Sequence, residues 1–222
     1  MKKAFTLLEL VFVIVVIGIL TAIMLPRIET NPVQEAAVQL LSDIRYTQHL
    51  ALVDDKFDSN DNAWYKKRWQ IVFSQGAQTD NEWAYSIFAD TAGASTGQVD
   101  LSEVALNPLD TGRVLSGGYA GGPIQLDITS NSFLGTKKLN LGVSYGITDV
   151  TFSNSCNGAN GLSKRIVFDH FGRPMQGDIS ANTHSYETIN LVKNDCNITI
   201  TDGEQSVSII IQPESGYANI DF

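Results

Sequence analysis

Positive charge is what this sequence has least of: 15 Lys and Arg stand against 24 Asp and Glu in 222 residues, a formal net charge of −9. Phosphate backbones are held by clustered cations, so bulk electrostatics favour neither nucleic acid nor anionic lipid as a partner. The one basic run is Lys66-Lys67-Arg68, beside Trp64, Tyr65 and Trp69. Cations interleaved with aromatics can hold single-stranded nucleic acid, but edge strands also carry Lys to block aggregation. Cysteine is scarce too. Cys156 and Cys196 are the only two, and they form neither the close pair of a redox motif nor a zinc knuckle. A zinc site recruiting His170 and His184 would have enough ligands but no finger-like spacing.

Charge is almost absent between Phe5 and Leu25, where Glu9 is the only ionisable side chain. As helix these residues would span about 31 Å, the thickness of a bilayer's hydrocarbon core. Lys2 and Lys3 precede the run and nothing basic follows until Arg27, which predicts a cytoplasmic N-terminus and an exported head. A secretory signal peptide would have a shorter apolar core with a small-residue cleavage site after it. A plain anchor helix has no use for Glu9, because a carboxylate inside an apolar run costs a few kcal/mol. Its presence suggests a cationic partner on a neighbouring molecule. For an exported head, the simplest state of Cys156 and Cys196 is one disulfide, worth roughly 4 kcal/mol for a loop of about 40 residues.

After Pro26, Asn31 and Pro32 read as the cap and first position of a second helix. Val33, Ala36, Ala37, Leu40, Leu41, Ile44, Thr47 and Ala51 then recur at three- and four-residue steps, the stripe of a helix packed on a core. Beyond the polar stretch Asp54–Asn62 the period becomes two. Trp69–Phe73, Trp83–Phe88, Ile124–Thr129, Val143–Phe152 and Ile166–Phe168 read as strands, and Asn107–Pro123 as a long loop. Cys196–Ile200 and Val207–Ile211 flank Asp202-Gly203, a hairpin signal.

Several motifs invite other chemistry. Asp58, Asn60 and Asn62 alternate like the start of an EF-hand loop, but Ala63 stands where the turn glycine belongs and Trp69 where the bidentate Glu belongs. Gly93-Ala94-Ser95-Thr96-Gly97 matches the G-x-S-x-G elbow of serine hydrolases, which requires a helix immediately after the serine turn. Gln98-Val99-Asp100-Leu101 does not open one. His170, His184 and His49 read as surface residues.

Ala4-Phe5-Thr6-Leu7-Leu8-Glu9 resembles the cleavage and methylation motif of type IV pilins and type II secretion pseudopilins. The resemblance implies a cut between Ala4 and Phe5, N-methylation of Phe5, and a filament-assembly role for Glu9, whose carboxylate would pair with a subunit's N-terminal amine. Ala4 departs from the glycine usual before the cut. Pro26 matches the family's helix-bending proline. Ile166–Pro174 and Ile209–Gly216 resemble the Gly-Arg-Pro turn and the closing strand of the GspH/FimT group of minor pilins.

The expected protein is therefore α+β: a long N-terminal helix, half transmembrane and half amphipathic, packed on a β-rich head of antiparallel sheets. It divides into a leader (1–4), a transmembrane helix (5–25), an amphipathic stalk (26–54) and a periplasmic head (55–222). The resemblance implies a non-catalytic minor pseudopilin of the type II secretion pseudopilus, single-pass in the inner membrane, with no cofactor or metal. Its partners would be other pseudopilins or pilins, the prepilin peptidase and the inner-membrane assembly platform. The alternatives are a minor pilin of a type IV pilus, serving assembly or DNA uptake, and a membrane-anchored periplasmic enzyme.

Overall fold

A computed structural model describes residues 6–24, 31–92, 95–158 and 164–221. It divides into two compact units, residues 1–31 and 32–222. The first contains α1 (Leu7–Met24), and the second opens with α2 (Pro32–Val53). This corrects the expected long N-terminal helix, because α1 and α2 are separate elements of 18 and 22 residues.

The transmembrane assignment of residues 5–25 is also corrected. Among the described residues, no helix is long and apolar enough to cross a membrane. α1 spans 18 described residues, about 27 Å at 1.5 Å per residue, against about 31 Å for the whole apolar run. It starts late because Thr6 serves as its cap, with Leu7 the first helical residue. The single-pass inner-membrane placement inferred from that span falls with it.

The second unit is built on α2. Val33, Ala36, Ala37, Leu40, Ile44, Thr47 and Ala51 are buried along one face, as their spacing dictates. Two four-stranded antiparallel sheets share a core with that face. The first has strand order β2-β1-β6-β7, with β1 (Trp69–Ser74), β2 (Ala84–Ala89), β6 (Arg165–Phe168) and β7 (Pro174–Gln176). The second has order β10-β9-β8-β5, with β5 (Asp149–Phe152), β8 (Cys196–Thr201), β9 (Ser206–Ile211) and β10 (Ala218–Asp221). Ile71, Phe73, Tyr85, Ile87 and Ile166 from the first sheet and Ile198, Ile200, Ile209 and Ile211 from the second fill one continuous apolar cluster with α2.

The opposite face of the first sheet is covered by irregular chain. There Val72 and Phe88 pack with Val99, Val104, Val114, Tyr119 and Leu126. Within this layer, β3 (Leu106–Asn107) and β4 (Asp110–Val114) form a hairpin where a long loop was expected. Asn107 turns it, its side-chain oxygen accepting from the Leu109 amide at 2.9 Å. One expected strand is absent and another is shortened to β5, Asp149–Phe152. Ile124–Leu126 is a 3-10 turn, and the start of Val143–Phe152 falls in a short helix, α3 (Leu141–Tyr145), capped by Asn140 at 2.9 Å from the Val143 amide.

One buried carboxylate lies inside the main core. Asp43 on α2 accepts from the Tyr85 hydroxyl at 2.6 Å and the Gln39 amide at 3.0 Å. Burial raises its pKa and outweighs both hydrogen bonds, which lower it. A carboxyl group raised in the folded state binds its proton before the unfolded chain does. Its contribution therefore grows on acidification through the folded pKa and is lost as pH rises. Asp43→Asn should remove that gain, flattening the urea midpoint between neutral pH and the ordinary carboxylate range by at most about 1.4 kcal/mol per pH unit. Identical pH profiles for the two proteins would show that Asp43 does not titrate there.

Candidate functional site

Ala4 and Phe5, the expected cleavage junction and methylation site, lie outside the described residues. Glu9 lies in the first turn of α1 and is its only charged side chain. The Glu9 amide donates to the Thr6 hydroxyl oxygen at 3.3 Å, and the Thr6 amide faces Glu9 Oε2 at 3.5 Å. These reciprocal contacts form a capping box, in which a Thr cap and a Glu three residues on satisfy each other's backbone donors. The acid thus has an intramolecular use that the partner argument had not given it. The signal was present as Thr6-Leu7-Leu8-Glu9, the T-x-x-E that precedes an apolar run.

The rest of α1 is apolar on every described side. Leu7, Leu8, Phe12, Ile14, Ile17 and Ile19 are all more than half exposed, and Thr21 returns its hydroxyl to the Ile17 carbonyl at 2.7 Å. At about 25 cal/mol per Å² of apolar surface, leaving such a helix in water is costly, and large exposed apolar surfaces mark interaction sites.

In the second unit, Cys156 and Cys196 are joined by a disulfide with a Cα–Cα distance of 5.4 Å. Both sulfurs are buried. Cys156 lies four residues past β5, and Cys196 opens β8, the strand that pairs with β5.

The residues that suggested other activities are occupied structurally. Ser95, of the hydrolase-like motif, is buried and donates its hydroxyl to the Asp90 carbonyl at 3.0 Å. A 3-10 turn at Leu101–Glu103 follows it rather than a nucleophile helix. In the basic run, Lys67 pairs with Asp61 at 2.7 Å. Arg68 is buried between the rings of Trp64 and Tyr186, 5.1 and 4.6 Å from their centroids. That leaves no continuous cationic strip. Asp58 closes a local turn through the Asn60 amide at 2.8 Å. Among the described residues, no group of three or more His, Cys, Asp or Glu side chains is placed to hold a metal ion. The His170 and Phe171 rings are tilted against each other with centroids 3.9 Å apart, His184 contacts the Thr183 hydroxyl at 2.7 Å, and His49 is exposed on α2.

Comparison with family models, curated proteins and solved structures finds no match for the chain.

Proposed function

We propose that this chain is a structural subunit of a pilin-like filament, a minor pseudopilin of a type II secretion system. The observation that carries the reading is α1: a helix in a unit of its own, apolar on all described sides, with one acid in its first turn. A helix of that kind is stable when other apolar helices surround it. Bundled copies of such helices supply that cover.

Glu9 sets the register of that bundle. In the single chain its carboxylate answers the Thr6 amide at the limit of hydrogen-bond distance, leaving most of its accepting capacity unused. An α-amine on a neighbouring helix, with an ordinary pKa near 8, would take up that capacity as a charge-assisted hydrogen bond. Hydrophobic cover alone is non-directional, so the ion pair is what aligns one helix against the next. The disulfide supports the reading more weakly, as the staple of a domain outside reducing compartments.

The test co-expresses the protein with the remaining filament subunits and measures its share of sheared filaments. Glu9→Ala should lower incorporation by about tenfold or more, the effect of losing one charge-assisted bond of at least about 1.4 kcal/mol. Thr6→Ala removes one arm of the cap and should cost helix stability, about 1 kcal/mol, without abolishing incorporation. Equal incorporation of wild type and Glu9→Ala would defeat the proposal.

A further inference from the structure

A cavity of about 530 Å³ opens on the face of the first sheet away from α2, in the second unit. Its wall includes Ser74 at the end of β1, Gln75 after it, Gln98, Tyr119, Arg165 on β6 and Asp178 after β7. The volume lies within the range of sites that enclose small ligands. We infer that this cavity binds a neutral polyhydroxylated ligand, a short oligosaccharide. The inference is independent of the role of α1.

Charge is the first argument. The cations beside the cavity are committed elsewhere. Arg165 is 4% exposed and donates to the Gln70 side-chain oxygen at 2.9 Å and the Gly97 carbonyl at 2.7 Å. Its guanidinium is also 3.6 Å from Asp178 Oδ1. Lys164 donates to the Val150 carbonyl and lies over the Trp83 ring, 4.2 Å from its centroid. Arg165 faces Asp178, and the Lys164 ammonium is taken by the Val150 carbonyl and the Trp83 ring, so each of these cations already has a partner.

The hydrogen-bond inventory is the second argument. Gln98 is exposed, and its side-chain oxygen accepts from the Tyr119 hydroxyl at 3.4 Å, which leaves its amide nitrogen to donate outward. Gln75 spends its side-chain nitrogen on the Asn81 carbonyl at 2.9 Å, which leaves its oxygen to accept. Asp178 Oδ1 accepts from the Ser180 amide at 2.8 Å, and Oδ2 is left over. The buried Ser74 hydroxyl and Arg165 Nε have no hydrogen-bond partner among the described residues. The cavity therefore offers both donors and acceptors, with an aromatic ring in its wall. A sugar hydroxyl donates and accepts at once, and its C–H face suits an aromatic ring, whereas a peptide backbone presents these functions in fixed alternation along a line.

The backbone next to Gln98 and Gln75 is closely packed. Gly97 has φ +77°, and a Cβ there would lie 2.4 Å from Asp178 Oδ2. The Gly97 amide is held by the buried Asp90 carboxylate at 2.6 Å. Gly76 allows the chain to approach Ala120, since a Cβ on it would come within 2.8 Å of the Ala120 side chain. The side chains that would contact ligand thus stand on backbone fixed without it, which lowers the ordering cost of binding.

The test uses the full chain in a phosphocholine detergent, which carries no sugar headgroup. Saturation-transfer NMR is recorded with maltotriose, cellotriose and chitotriose in turn, and with trialanine and inorganic phosphate as controls. At least one trisaccharide at millimolar concentration should receive saturation. Gln98→Ala should weaken it by about tenfold, the loss of one hydrogen bond, with an unchanged melting temperature because Gln98 is exposed. Asp178→Asn, which keeps the shape and replaces one carboxylate oxygen by an amide nitrogen, should weaken it by a similar factor. Absence of saturation with all three sugars would overturn the inference. So would sugar binding indifferent to both substitutions, or competition by trialanine or phosphate for the same signal.

Discussion

Replacing Cys156 and Cys196 together by alanine will lower the stability of the second unit by about 4 kcal/mol in urea or thermal unfolding. The figure is the chain-entropy value for a closed loop of this length, and the sequence separation is 40. For a unit of this size it corresponds to roughly 8 to 16 °C in melting temperature. The placement makes an effect of this order reasonable. The bond closes a loop that contains β6, β7 and the Asp169–Arg173 turn, so it shortens the search that joins the two sheets. It also sits wholly inside the main apolar cluster, where two alanines would leave space that the surrounding isoleucines cannot fill without moving. A reducing agent added to the native protein should reproduce the loss only slowly, because both sulfurs are buried. A double variant that melts within about 1 kcal/mol of wild type would show that the loop is already ordered in the unfolded chain.

Where the sequence was legible, a strong period met a matching burial. The stripe from Val33 to Ala51 became the buried face of α2, and Trp69–Phe73 and Trp83–Phe88 fall within or beside β1 and β2, paired antiparallel from Trp69↔Ala89 to Ser74↔Ala84. Asp202-Gly203 does join β8 to β9, though as part of a four-residue connection in which the Asp202 side chain accepts from the Glu204 and Gln205 amides at 2.9 and 2.7 Å.

Where it misled, local hydrogen bonding outweighed periodicity. Ile124–Thr129 alternates like a strand, yet Ile124 is largely exposed and Leu126 alone enters the second apolar cluster. Asp127 then closes a turn on the Thr129 amide at 2.9 Å, which a strand would not permit. At Leu141–Tyr145 the deciding residue was Asn140, whose capping oxygen commits the segment to a helical turn before β5 begins.

The candidate sites divide in the same way. Thr6 and Glu9 are one local motif and could have been read as a cap from four consecutive residues. The cavity could not. Gln75, Gln98, Tyr119 and Asp178 come from separate segments, and only the folding of irregular chain over β1 and β6 brings them together. No spacing rule links positions that meet through loops. The N-terminal span misled for a different reason: apolar length was counted from Phe5, but a helix begins at its cap, and the cap was Thr6.

Asp169→Ala will be among the most damaging single substitutions in the second unit, costing about 3 kcal/mol, the low end for breaking a buried ion pair from one side. Asp169 is 1% exposed and joins β6 to β7 through the Gly-Arg-Pro turn. One carboxylate oxygen accepts from the Phe171 and Arg173 amides at 3.0 and 2.9 Å, and the other from Arg173 Nε at 2.8 Å and the Tyr186 hydroxyl at 3.3 Å. Tyr186 in turn stacks on the buried Arg68 guanidinium, and the Gly172 carbonyl accepts from Gln48 on α2 at 2.8 Å. The carboxylate thus shapes a turn that is docked on the helix, and it is a counter-charge close to two guanidinium groups. Alanine would leave two backbone donors and Arg68 without it. Arg173 is about a third exposed and would recover water, which is why the cost stays near the low end. The converse substitution separates the two roles. Arg173→Ala leaves Asp169 with both amides and the tyrosine hydroxyl, so it should cost only about 1 kcal/mol, the worth of one partly exposed charge-assisted bond. If urea unfolding found Arg173→Ala as damaging as Asp169→Ala, the ion pair rather than the turn would be what holds β6 to β7.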